Sequence, residues 1–149
     1  MKKTFVIILV FFLIIVAIIS GVLYNKKRSS VLTKDYNKPY ETYYKQEILG
    51  TTLISIINKA IDNNEKNGVD KPKESIYYQE NETNSIKITV QFLEADKPIY
   101  MEDIAKQTSE TFISFFATAS FKCTKIEYHE KTNYVKSLYF EQIQKWFYY

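Results

Sequence analysis

The feature that most constrains this chain is an apolar run near its N-terminus. Phe5 to Leu23 is 19 residues long, and its only non-apolar members are Ser20 and Gly21. As a helix it spans roughly 28 Å, close to the ~30 Å hydrocarbon core of a bilayer. Sixteen of its residues are Ile, Leu, Val or Phe, and no charge lies between Lys3 and Lys26. At about −0.3 to −0.6 kcal/mol per residue, such a stretch favours insertion by roughly 5–10 kcal/mol. The expectation is a basic tail over 1–4, a transmembrane signal-anchor helix over 5–24, a polar juxtamembrane linker over 25–39 and a folded domain over 40–149.

A cleaved signal peptide is the competing reading. Its apolar core normally runs about 7–15 residues and ends in small residues. Here the run is longer, and Ile18 and Ile19 stand where small side chains are wanted. No Cys follows the run to take a lipid, since the single Cys is Cys123. The flanks Lys2 and Lys3 on one side, and Lys26, Lys27 and Arg28 on the other, are nearly balanced under the positive-inside rule. The short basic start before the apolar run favours a plasma-membrane protein with its domain on the extracytoplasmic side.

Beyond those flanks, residues 29–149 hold 15 Lys, no Arg and 17 acidic residues. The domain is therefore slightly acidic, which argues against nucleic acid as a partner, because counterion release needs a basic surface. The five flanking cations are placed instead to touch anionic lipid headgroups. About 110 residues can bury one modest core, and a lone Cys123 leaves it without an internal disulfide.

Periodicity divides the domain. Leu49, Leu53, Ile56, Ile57 and Ala60 repeat at helical spacing within Tyr40 to Asn64, with Pro39 suited to a first turn and Gly50 to a close approach. Ile76-Tyr77-Tyr78-Gln79 reads as a short strand. Ile86, Ile88, Val90 and Phe92 alternate with polar residues as a second, and Ile99-Tyr100-Met101 as a third. Ile104, Thr108, Phe112, Phe115, Phe116 and Ala119 mark a second amphipathic helix. Two strands, Phe121 to Tyr128 and Tyr134 to Ile143, close the chain around a five-residue hairpin loop. The order α-β-β-(β)-α-β-β predicts an α+β domain, an antiparallel sheet with two helices on one face.

Chemistry-bearing residues are sparse. His129 is the only histidine; with Glu127 and Glu130 it offers too few convergent donors for zinc and reads as a solvated turn residue. Ser120, Cys123 and His129 form no recognisable nucleophile motif, and three glycines are too few for an oxyanion or phosphate loop. Cys123 reads as a small buried apolar residue. Glu102-Asp103 fits the first turn of a helix, where acids complement the dipole. Asn81-Glu82-Thr83 matches a glycosylation acceptor or an exposed turn. No catalytic residue, metal site or cofactor is expected.

Tyrosine is in excess, 13 of 149 residues. Tyr40, Tyr43 and Tyr44 cluster after the linker, and Trp146-Phe147-Tyr148-Tyr149 follow the final strand. Tyr and Trp suit protein interfaces and headgroup belts, so both groups are candidate partner-binding residues. The leading expectation is a membrane-anchored, non-enzymatic interaction or structural module, an accessory subunit of a cell-surface or secretion assembly with a protein partner. A membrane-tethered small-ligand sensor or enzyme accessory subunit is an alternative.

A second alternative comes from architecture. An apolar N-terminal helix, an amphipathic helix and then antiparallel strands resemble type IV pilins and pseudopilins in outline, which implies a filament or pseudofilament subunit. The processing signature of those families is a Gly ahead of the apolar stretch and a Glu at the fifth position after the cut. Met1-Lys-Lys-Thr-Phe5 carries no such glycine, and the first acidic residue is Asp35.

Overall fold

The structure, a computed structural model, describes residues 2–107 and 109–144, with side-chain surroundings for 7–107 and 110–143. It divides into two units, residues 1–36 and 37–149. The first is the body of helix α1 (Lys2–Glu41), whose apolar side chains from Ile7 to Leu23 are exposed. This is one helix long and apolar enough to cross a membrane. Length and composition fit a single-pass or signal-anchor span, and equally a signal sequence. Residues 25–39 are helical rather than a loose linker, and Pro39 lies in the last turn of α1 instead of opening a new helix.

The second unit is α+β. It contains β1 (Glu47–Leu49), α2 (Gly50–Lys66), β2 (Lys87–Gln91), β3 (Ile99–Tyr100), α3 (Met101–Lys106), α4 (Ser109–Phe116), β4 (Ser120–Tyr128) and β5 (Val135–Gln144). The strands form one sheet in the order β1-β4-β5-β2-β3. The sheet is mixed, not antiparallel: β2 and β5 run parallel with Ile88 opposite Leu138 and Val90 opposite Phe140, while the other pairs are antiparallel. A parallel pair needs a long crossover, and β3, α3, α4 and β4 provide it.

Helices α2, α3 and α4 touch one another and form one layer against the sheet. The expected helical stripe holds from Leu53 through Ile54, Ile56, Ile57 to Ala60, all buried. Its expected start does not, because Leu49 is in β1 and exposed. Gly50 opens α2 rather than lying inside a longer helix, and a Cβ there would overlap the carbonyl of Phe116. Its N–H donates to Ala119 O at 3.0 Å, so α2 begins in contact with the end of α4. From the sheet, Ile86, Ile88, Val90, Phe92, Phe121, Cys123, Val135, Leu138 and Phe140 complete the core.

Two further expectations are corrected. Residues 76–79 are not a strand. Their backbone donors are used elsewhere, Gln79 N–H by Asp70 O at 2.8 Å and Tyr78 N–H by a Glu102 carboxylate oxygen at 3.3 Å. The second helix is two, because α3 starts at Met101 and closes at Gln107, whose N–H donates to Ile104 O. Asp103 reaches back to the Tyr100 N–H at 3.4 Å and accepts from the Tyr77 hydroxyl at 2.6 Å. That is a local structural role for the acidic pair, alongside the dipole role expected for it.

Candidate functional site

The two ends of the β2–β5 pair differ in chemistry. At the start of these strands the packing is polar and tied together. Asn64, fully buried at the end of α2, receives the Ile86 N–H on Oδ1 and donates from Nδ2 to Ile86 O, both at 2.8 Å. The side-chain amide thus replaces a neighbouring strand for one residue. Asn37, in the last turn of α1, does the same for the β4–β5 hairpin. It accepts from Val135 N–H at 2.8 Å and donates to Asn133 O at 2.9 Å. Asn133 itself holds a left-handed φ of 56°, a conformation Asn tolerates.

His129 lies in this polar end, and the expectation of a solvated turn histidine is wrong. It is 2% exposed, and its Nε2–H donates to Ser85 O at 2.8 Å. Its main chain bonds to Tyr134 O and to Asn133 N–H, both at 2.8 Å. The neighbouring carboxylates are occupied separately: Glu127 takes Lys125 at 2.6 Å and the Ser137 hydroxyl at 2.8 Å, and Glu82 and Glu80 pair with Lys131 and Lys136. The Lys125 ammonium, then Ser137, holds the Glu127 carboxyl below its usual range. Asn81, the possible glycosylation acceptor, uses its Oδ1 to receive the N–H groups of Thr83, Asn84 and Ser85. Among the described residues, no three His, Cys, Asp or Glu side chains converge.

At the other end of β2 and β5 the chemistry is apolar and open. Phe92, Phe112, Phe116 and Phe121 stack as one aromatic cluster, with ring centroids 4.8 Å apart for Phe92–Phe116 and 5.3 Å for Phe112–Phe116. Edge contacts at 5.8 and 6.3 Å join Phe92 to Phe121 and Phe112, the geometry that ring quadrupoles prefer. Above this floor opens a groove of about 510 Å³ between the β2–β3 loop and the α3–α4 pair. Its upper walls are Leu93 and Phe115, 49% and 52% exposed. Gln142 of β5 stands at its end, and its Oε1 accepts the Leu93 N–H at 3.3 Å. Gln91 fixes the loop by donating to Phe92 O and Ala95 O. Ile113 on α4 and Ile143 on β5 are also exposed but are not part of the groove lining. Volumes of roughly 300–1,000 Å³ are typical of ligand clefts.

The expected site residues are elsewhere. Tyr40 is a core residue, 4% exposed, with its hydroxyl 3.4 Å from Lys59 O. Tyr43 is half-buried, and Tyr44 is exposed beside Cys123, its ring 5.2 Å from Lys45 Nζ. The three tyrosines therefore do not form one surface. Lys26, Lys27 and Arg28 are exposed on α1, while Lys2 and Lys3 are described only in backbone. Trp146, Phe147, Tyr148 and Tyr149 lie outside the described residues. Cys123 is buried as expected, and desolvation pushes its thiol up to about 11.

The groove was missed because Phe112, Phe115 and Phe116 read as an ordinary core stripe. The available signal was width: with Ile113 they cover roughly 160° of a short helix at 100° per residue, more than one sheet contact can bury. No family model, no curated protein and no solved structure matches this chain.

Proposed function

We propose that this protein is a membrane-tethered, non-enzymatic docking module, an accessory subunit of a cell-surface or secretion assembly, whose groove takes an aromatic-bearing apolar segment of a protein partner. The observation that carries the reading is the open Phe92–Phe112–Phe115–Phe116 groove in a unit that follows a membrane-length helix. An exposed apolar surface bordered by polar groups is what docking sites look like on otherwise soluble domains. The aromatic faces on its floor favour ring-bearing side chains, which gain edge and offset contacts beyond area burial.

A photo-crosslinking residue in place of Phe115, in the full chain in cells, tests this. The expected product joins Phe115 to an apolar, ring-bearing peptide, and the same probe at exposed Lys59 on α2 gives none. Adducts to lipid alone, or equal adducts at both positions, would refute the reading. The pilin-like reading has one observation in its favour, a membrane-length apolar helix near the N-terminus ahead of an α+β unit in the chain.

The domain's side of the membrane is read as extracytoplasmic from the basic start before the apolar run. Because Cys123 is buried with its thiol protonated, Ser30→Cys supplies the one accessible thiol. Labelling of intact cells by a membrane-impermeant maleimide is expected; labelling only after lysis reverses the topology.

A further inference from the structure

We infer that a second cavity, between α2, α3 and the connector over residues 67–86, binds a small zwitterion: a molecule with one ammonium, one carboxylate and a compact apolar group, the chemistry of a free α-amino acid. This site is separate from the aromatic groove and goes beyond the docking reading.

Glu102 carries a carboxylate with capacity to spare. The residue is 7% exposed, and its Oε2 is the one side-chain polar atom, among the described residues, that is buried without a hydrogen-bond partner. Its Oε1 accepts the Tyr78 N–H at 3.3 Å. An ionised carboxylate offers about four acceptor sites, and burying its charge is costly unless donors fill them. Glu102 lines a cavity of about 270 Å³, so a donor can be brought to it there.

Charges of both signs surround this cavity. Tyr78 lies between two acids: its N–H donates to Glu102, and its hydroxyl donates to Glu65 Oε1 at 3.0 Å. Burial, then Glu65 and Glu102, push that hydroxyl up to about 12. The face of the ring already receives an ammonium, Lys71 Nζ, 5.1 Å from its centroid. Ring and carboxylates together make a seat for a cationic nitrogen. Lys71 and Lys106 also line the cavity, and among the described residues neither belongs to an ion pair.

A plain cation would be repelled by these two lysines, and a plain anion by the two acids. A zwitterion meets opposite charge at both of its ends. Ile61, Ile76 and Ala105 give the cavity an apolar wall for the rest of the molecule. Its volume lies just below the roughly 300–1,000 Å³ typical of clefts for drug-sized ligands, which suits an amino acid better than a larger cofactor. The ligand ammonium takes the place of Lys71 at Tyr78 and Glu102, and Lys71 turns with Lys106 to the ligand carboxylate.

Calorimetric titration of the full-length protein in detergent micelles with L-alanine, L-leucine and L-phenylalanine tests the site. At least one of the three should bind saturably at millimolar concentration or below. The amine and the carboxylic acid left by removing either charge from it (for leucine, isoamylamine and isocaproate) should not. Glu102→Gln keeps an acceptor for the Tyr78 N–H and removes the charge. It should weaken binding about tenfold or more, the scale of a lost charge-assisted hydrogen bond. Lys106→Ala, at an exposed position, should weaken binding severalfold with the melting transition unchanged, so the result does not hang on one variant.

No saturable heat from any of the three amino acids overturns the inference. An amine that binds as tightly as its amino acid overturns it as well, and makes the site one for simple cations. So does binding that neither variant weakens, which places the amino acid elsewhere on the chain or in the micelle. Partner crosslinks at Phe115 can form in each of these cases, so failure here is separate from failure of the docking reading.

Discussion

The two ends of one pair of parallel strands, β2 and β5, solve opposite problems. Where the strands begin, buried backbone groups that lack a neighbouring strand are met by the amides of Asn64 and Asn37 and the imidazole of His129. Where they end, the side chains are phenylalanines, and part of their surface stays in contact with solvent. Unpaired polar groups inside a protein are costly, so the first end tolerates little change. Exposed apolar area is a modest cost to the isolated fold and a gain on binding. The comparison separates residues that hold this domain from residues that give it something to do.

The sharpest way to break the comparison is at Asn64. Replacing it by Ala leaves both the N–H and the C=O of Ile86 buried without partners. At about 1–3 kcal/mol for each of the two orphaned groups, Asn64→Ala should lose roughly 2–6 kcal/mol. Denaturant unfolding of residues 34–149, expressed without the span, measures it. A loss under about 1 kcal/mol would show that water enters this end and that it is not the rigid one.

His129→Ala comes next, with an expected loss of roughly 2–3 kcal/mol from the orphaned Ser85 carbonyl and the vacated ring volume. The sequence pointed the other way, because a histidine between Tyr128 and Glu130 in a polar loop has no local sign of burial. Its burial comes from Ser85, 44 positions away. That is the general pattern of what was legible. The stripes of α2 and β2 were visible because period and burial coincide residue by residue, from Leu53 to Ala60 and from Ile86 to Phe92. The parallel pairing of β2 with β5 was not, since a two-residue period looks the same whichever strand lies alongside. Tyr40 was misplaced for a related reason: a tyrosine near polar residues reads as surface until the helix that carries it is seen to end against α2. The groove fell between these cases, its phenylalanines legible as apolar and their incomplete cover not.

A smaller effect sits midway along the sheet and depends on pH. Burial pushes the Cys123 thiol up to about 11 from its ordinary 9. The unfolded chain releases that proton first, so the neutral thiol's contribution is fully present below pH 9 and is lost as pH rises towards 11. Burial and the Glu65 carboxylate, and burial and the Glu41 carboxylate, raise Tyr78 and Tyr128 to about 12 in the same sense. Stability should therefore fall from pH 9 upward, and Cys123→Ala should flatten the part of that fall between 9 and 11. An alkaline limb identical in both proteins would mean that solvent reaches the thiol.

The smallest effect is expected at the open end, and it is the most informative about function. Phe115 is 52% exposed, and substitutions at such positions, away from caps and buried networks, usually stay within about 0.5 kcal/mol. Phe115→Ser should therefore be nearly neutral for the fold, with its unfolding transition still cooperative. The same change removes an exposed wall of the groove, so crosslinking to an apolar, ring-bearing partner from a neighbouring groove position such as Leu93 should fall although stability does not. A loss of several kcal/mol would instead place Phe115 in the core, because the loss of buried aromatic side chains is what produces effects of that size. Only a change that spares stability and weakens docking fits a groove wall that serves binding.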